Sequence, residues 1–430
     1  MVGYKKVRKK GFIAANYLAV SLILSSIVFK SLLLQYLNYE SVFFENDSTR
    51  YLDLASNFLV NYVSANVATG TDSFYITPGY PLFLSILSSF EIRQIIFCQF
   101  CILGMTQFIC YSILKNCFRP RMAIFGLITI VLESSMNLES FHILTETLFG
   151  LFFACFLYFF STAKKSKIRM VIAGGFLGTS LLIRPVAQIL IIALLITILI
   201  AKQKMNILIC ILISITILSG WLIRNYNIYG VSQLSGIQSL NLLYYEGAGA
   251  AAIAKSQTLE KAQSEESARE SSALGEAAPL NEIVNYRQQR GLYLIKSNFL
   301  GFIELHLKGS IKILLGPGSA TIDDIASKFS YGKITGIIYK YFSILLSSIL
   351  ALLSFYSILI FVRKERNTAT DFEFFVIVAF IFLLISSGGA NAYSRFRVPI
   401  VPLEILMSMY SIYNLRQRSV TLQGKLPADE

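Results

Sequence analysis

The stretch "FFENDSTRYLDLASNFL", Phe43 to Leu59, follows a first hydrophobic span that starts at Phe12. It places acids, an arginine and aromatic residues where a plain connection needs none of them. Drawn as a helix, Asp47 shares a side with Tyr51, Leu54, Ala55, Phe58 and Leu59, while Thr49, Arg50, Asp53 and Asn57 fall opposite. Asp53 is therefore expected to face water. An acid on the apolar side of an interfacial helix faces a cleft, where a carboxylate can work as a general base. The competing reading makes Asp47 or Ser48 the helix N-cap, a role compatible with catalysis.

Further charged residues stand at later turns. Glu146, in "HILTETLF", opens an apolar run; its alternative role is to complement the helix dipole, with Thr145 as cap. Arg184 sits between two apolar arms, and an Arg near membrane depth is a functional candidate, weighed against snorkelling to lipid head groups. Arg224, in "GWLIRNYNIYG", and Arg395 and Arg397, in "AYSRFRVPIVP", end other runs, and each alone fits an interface anchor. Together they put an acid or an Arg at every outer turn. That combination suits a substrate carrying a lipid phosphate, which Arg grips bidentately, and a hydroxyl to be deprotonated.

The elements that must position these groups are apolar helices. Of 430 residues, 55% are hydrophobic and 15% charged, well below the charged fraction of about a quarter in soluble domains. Apolar runs at 12–37, 95–114, 122–138, 145–163, 170–183, 186–201, 205–222, 336–362, 371–388 and 398–413 imply an all-α multi-pass membrane protein of about ten helices. The net charge of +13 collects in short clusters, at 5–10, 115–121, 164–169, 202–204, 363–366 and 416–418. These read as cytoplasmic topology signals rather than a nucleic-acid surface. Ten passes with both termini cytoplasmic put every cluster on one side. A single helix over 170–200 would be about 46 Å long, against a hydrocarbon core of about 30 Å. Basic clusters flank both of its ends, so it must be a hairpin with Arg184-Pro185 as the outer turn.

This divides the chain into an N-terminal catalytic module, 1–222, with a first outer loop at 38–94; a large outer loop, 223–335; and C-terminal helices with a short tail, 336–430. Within the large loop, a polar Ala/Ser/Glu-rich middle reads as a mobile or helical surface segment. The amphipathic stretch after it, 292–316, is expected at the interface or on the bundle. The N-terminus reads as an uncleaved first helix rather than a signal peptide. Cys98 and Cys101 have redox spacing but lack the fold context for it, so core packing is the better reading. With only His142 and His306, a His-rich metal site is excluded. Nearly acid-free spans and the lack of a clear repeat speak against a transporter.

In their order, "ENDSTRYLDLASNFL", "TPGYPLFLSIL", "LTETLF", "GGFLGTSLLIRP", "WLIRNYNIYG" and "SRFRVPIVP" resemble the C-type glycosyltransferase superfamily. The similar branch is the bacterial one related to protein O-mannosyltransferases and the lipid A aminoarabinose transferase. The resemblance implies an enzyme of the bacterial cytoplasmic (inner) membrane that moves a sugar from a polyprenyl-phosphate donor to an acceptor hydroxyl on the outer face, usually with inversion. The acceptor would be a lipid-linked glycan or a protein. No cofactor is required, and a divalent metal stays open. Asp47 matches the presumed base and Glu146 a second acid. Arg184 and Arg224 match phosphate-holding positions, to which Arg395 and Arg397 are added; Tyr51 and Tyr80 are assigned to the substrate cleft. "TPGYP" stands where aminoarabinose-type relatives carry Lys-Pro-Pro. The alternatives are an outer-leaflet oligosaccharide polymerase or ligase and, behind it, a lipid or sugar transporter.

Overall fold

A computed structural model describes residues 2–37, 42–64, 71–163, 166–275, 278–363 and 370–423, with side chains described within 13–417. The basic side chains at 5–10, 164–165, 364–366 and 418 lie outside the described residues. Every regular element among the described residues is helical. Four helices are long and apolar enough to cross a membrane: Ile13–Tyr36, Ile92–Cys117, Lys204–Tyr229 and Gly332–Val362. Shorter apolar helices include Pro120–Leu132, Glu146–Thr162 and the stretch Pro185–Ile200. Lys167–Ile183, Asp371–Ser387 and Val401–Gln423 stand at the remaining apolar runs.

Local chemistry explains most boundaries. Glu91 and Gln94 close a capping box at the start of the Ile92–Cys117 helix, and Thr370 and Glu373 do the same before Asp371–Ser387. Pro120 occupies the first turn of its helix, where its missing N–H costs nothing. Gly230 ends the Lys204–Tyr229 helix at φ +70°, a left-handed conformation natural to glycine. Arg184 is extended because it precedes Pro185, and it separates Lys167–Ile183 from Gln188–Ile200. The run expected at 122–138 is not one helix. It breaks at Glu133, whose carboxylate accepts the Ser135 and Met136 N–H groups and so starts a new short helix, Ser134–Glu139.

The bundle packs through small residues and aromatic ladders. A Cβ on Gly174 would lie 2.6 Å from the Cys210 carbonyl oxygen, so helices Lys167–Ile183 and Lys204–Tyr229 approach closely there. Ser214 donates to the Gly174 carbonyl at 3.0 Å across the same seam. Phe149, Phe153, Phe156 and Phe160 stack along one helix face, and Phe375 packs on the last two. Apolar side chains such as Leu24, Val28, Leu32, Leu212, Leu345 and Leu352 point outward, as a lipid-facing surface requires. The polar middle of the large loop is helical over Leu259–Leu274, tied to Leu280–Ser297 by the pairs Arg287–Glu270 (2.7 Å) and Arg290–Glu266 (2.7 Å). The amphipathic stretch after it becomes the end of that helix and the helix Phe299–Leu315.

Candidate active site

The first loop folds as expected at its start. Ser48–Ser56 is helical, with Leu54 and Ala55 buried and Asp53 exposed. Leu59, expected on the apolar stripe, is instead 69% exposed, because the α-helix stops at Ser56 and a π-turn, Leu59–Val63, follows. Asp47 occupies the N-cap position but its side chain makes no capping hydrogen bond. The carboxylate is thus left over for another use.

Two hydrogen bonds to main-chain carbonyls carry Asp47 to Glu146. Ser48 Oγ donates to the Ile143 carbonyl at 3.0 Å, and Ile143 N–H donates to the Phe43 carbonyl at 2.9 Å. These pin the first loop to the turn before Glu146. A second pair places Arg184. Thr77 Oγ1 donates to the Ile183 carbonyl at 3.1 Å. Gly79 lies so close that a Cβ would fall 2.7 Å from the Leu182 carbonyl oxygen. The glycine of "TPGYP" is therefore required by contact.

The result is a cluster drawn from four distant segments. Arg184 Nη1 lies 2.6 Å from Glu146 Oε1, and the Glu146 side chain is 2% exposed. Arg395 stands between the acids, with Nη2 3.8 Å from Asp47 Oδ2 and Nε 4.0 Å from Glu146 Oε1. Its Nε is buried and has no hydrogen-bond partner among the described residues. Phe396 lies under both guanidinium groups, 5.6 Å from Arg184 and 5.2 Å from Arg395. Burial opposes the charge on Arg395, but the carboxylates of Glu146, Asp47 and Glu139 outweigh it and raise its pKa.

Tyr51 packs edge-on against Tyr80, ring centroids 5.1 Å apart. Burial, then the charges of Asp47 and Glu146, push the Tyr51 hydroxyl upward, so it stays protonated. Tyr80 is wholly buried and donates to Gln99 Oε1 at 3.0 Å. It forms the wall behind Tyr51.

Two of the singled-out arginines do not join the cluster. Arg224 points its donors at the carbonyls of Asn61 (3.2 Å), Tyr62 (3.2 Å) and Ser73 (3.4 Å) and lies 4.6 Å over the Trp221 ring. It clamps the far end of the first loop to the Lys204–Tyr229 helix. Arg397 is fully buried against Glu404 and Glu133.

Sequence reasoning missed the residues behind the site. His142 Nδ1 lies 3.2 Å from Glu139 Oε2, and its Nε2 4.0 Å from Glu45 Oε1. Burial would lower the His142 pKa, but the Glu139 hydrogen bond and the charges of Glu139, Glu45 and Glu146 raise it. The signal was the spacing in "ESFHILTE", which repeats an ionisable group every three or four residues over 139–146.

No curated protein matches the chain. Residues 79–223, about a third of the sequence, match the family model described as dolichyl-phosphate-mannose-protein mannosyltransferase. That segment contains Glu146 and Arg184. Among solved structures, the oligosaccharyltransferase of Archaeoglobus fulgidus tethered to an acceptor peptide has a TM-score of 0.51 at 15% identity, covering 94% of this chain and 51% of that one. The oligosaccharyltransferase AglB of the same archaeon, in complex with an inhibitory peptide and a dolichol-phosphate, has a TM-score of 0.49 at 14% identity, covering 95% and 52%. This chain spans about half the length of those structures. The chain is therefore similar in sequence to the dolichyl-phosphate-mannose-protein mannosyltransferases across residues 79–223, and in fold, along nearly all of its length, to the archaeal oligosaccharyltransferase.

Proposed function

We propose that the chain transfers a sugar from a polyprenyl-phosphate donor to an acceptor hydroxyl on the outer face of the cytoplasmic membrane. The observation that carries this reading is that Asp47, whose side chain makes no capping hydrogen bond, faces Arg395, whose buried Nε has no hydrogen-bond partner among the described residues. The name of the matched family supplies the lipid-phosphate donor class. Asp47 takes the proton of the acceptor hydroxyl. The acceptor oxygen then attacks the anomeric carbon as the bond to the donor phosphate breaks. The leaving phosphate keeps the bonding electron pair, and its charge is met by Arg395 with Arg184 behind it. In-line attack from the side opposite the departing phosphate would invert the product, and it requires Arg395 to move from its 3.8 Å contact with Asp47 when donor enters. No separate general acid is needed, because the phosphate is already a good leaving group. Glu146 holds Arg184 in place and balances its charge. The ten apolar helices cross the membrane with the basic clusters inside, which puts the Asp47 end of the bundle outside.

The test is transfer by the purified Asp47→Asn variant with a polyprenyl-phosphate sugar. The variant should bind donor and lose turnover. Normal turnover would reject Asp47 as the base and favour an oligosaccharide polymerase or ligase.

A further inference from the structure

The helix Phe299–Leu315 of the large loop presents three different faces. Gly309 and Ile313 are buried against protein. Phe299, Leu300, Ile303, Leu307 and Ile311 recur at three- and four-residue spacing along another arc. All five are exposed, Leu300 by 80% and Leu307 by 62%. Glu304, Lys308 and Lys312 occupy the arc beside them and are exposed too. A lone exposed leucine is ordinary, but a continuous apolar stripe marks an interaction surface.

Contacts on the packed side set where that stripe lies. His306 Nδ1 is 2.8 Å from the Ile385 carbonyl oxygen, and Ser310 Oγ donates to the Leu384 carbonyl at 3.3 Å. Both carbonyls belong to the last turn of the apolar helix Asp371–Ser387. Four residues along the one helix match a single residue along the other, so Phe299–Leu315 crosses the end of Asp371–Ser387 rather than running alongside it. The last turn of a span stands where hydrocarbon gives way to head groups. His306 and Ser310 border the stripe, and Ile385 is itself exposed. The stripe therefore continues the apolar outer surface of the bundle at that level.

We propose that Phe299–Leu315 lies in the membrane interface, with its stripe among the acyl chains of one leaflet and its lysines on anionic head groups. Over 296–312, Lys296, Lys308 and Lys312 stand against a single acid, Glu304, a balance that attracts anionic lipid. The depth expected of such a helix is about 5–10 Å into the boundary between head groups and acyl chains. This placement rests on the reading of Asp371–Ser387 as a span and not on the transfer chemistry. The same helix touches the segment that leads to Arg395. Gly309 fits against the Gly388 carbonyl, and Lys312 Nζ stands 5.1 Å over the Tyr393 ring. The leaflet thereby braces that segment from outside.

The test uses the whole protein in a cysteine-free background, reconstituted in bilayers of phosphatidylcholine and phosphatidylglycerol. An NBD fluorophore on Leu300→Cys or Leu307→Cys should emit to the blue of the same probe on Lys261→Cys and lose intensity to a nitroxide placed near the lipid head group. Nitroxide-labelled phosphatidylglycerol should quench it more than labelled phosphatidylcholine. That excess should vanish when Lys296, Lys308 and Lys312 are all changed to Gln. Leu352→Cys, on the long helix Gly332–Val362, and Ile385→Cys report on the bundle itself. Quenching at Leu352→Cys but not at Ile385→Cys would reject the span and the placement with it. Quenching at both with none at Leu300→Cys and Leu307→Cys would overturn the interfacial helix alone. A Leu307→Cys probe reached by aqueous iodide would overturn it as well. So would a probe shielded from iodide and lipid alike, since a protein surface, a second copy included, would then cover the stripe. Equal quenching by the two labelled lipids would overturn the preference for anionic head groups.

Discussion

Asp47 and Glu146 both face guanidinium groups, yet their surroundings assign them different work. Glu146 is 2% exposed and 2.6 Å from Arg184; Asp47 is 32% exposed and no closer than 3.8 Å to Arg395. Removing the proposed base should slow transfer by about 10²–10⁴-fold, so Asp47→Asn should show that loss in kcat with donor affinity retained. Arg395→Ala should weaken donor binding by about ten- to a hundred-fold, the loss of one charge-assisted bond. Arg395→Lys should recover only part of it, since the fork is lost; titration with polyprenyl-phosphate sugar separates the two. His142 supplies a pH handle. Its raised pKa means that its pairing with Glu139 stabilises the fold fully below the ordinary imidazole value of 6.5 and is lost as pH rises through the higher folded value. The stability gap between the unmodified protein and His142→Gln should therefore narrow at alkaline pH; a gap that widens would refute the charged pair. Four of the singled-out side chains, Asp47, Glu146, Arg184 and Arg395, do meet. They were legible because an acid or Arg at the end of an apolar run has few places to go. Arg224 and Arg397 share that signature, but one is bound by main-chain carbonyls and the other by buried acids. Those partners come from remote segments and leave no local trace in sequence.

The elements that deliver these residues are held at a few close contacts. Arg224 joins the first loop to the Lys204–Tyr229 helix through carbonyls that would be stranded without it. Arg224→Ala should cost about 3 kcal/mol and open the loop to protease, with Asp47 displaced as a consequence. The loop before Arg395 rests on helix Phe299–Leu315 at Gly309, where a Cβ would fall on the Gly388 carbonyl oxygen. Gly309→Ala must push that loop away and should raise the donor KM more than it lowers kcat. An unchanged KM would show that Arg395 does not depend on this contact. Helix positions were readable from hydrophobic runs and the Arg184-Pro185 break from length and flanking charge. The division at Glu133 was not, because it depends on a carboxylate turning back on its own backbone. The early end of the Ser48–Ser56 helix was missed for a similar reason: the apolar pattern continues through Phe58 and Leu59 while the backbone changes winding.

At the scale of the whole molecule, the proposed orientation has a direct test. In a cysteine-free background, an impermeant thiol reagent applied to intact cells should label Lys261→Cys, on the exposed helix of the large loop, and spare Arg121→Cys at the opposite end. Labelling of position 121 would invert the orientation. The cluster also has a temporal consequence. Asp47, Glu146 and Arg184 belong to the first half of the chain, but Arg395 leaves the ribosome hundreds of residues later. A nascent chain with only its earlier helices inserted holds, of this cluster, the two acids and Arg184, already paired with Glu146, but not Arg395. On the proposed mechanism, transfer therefore begins only after the turn before the final helix has docked against the first loop.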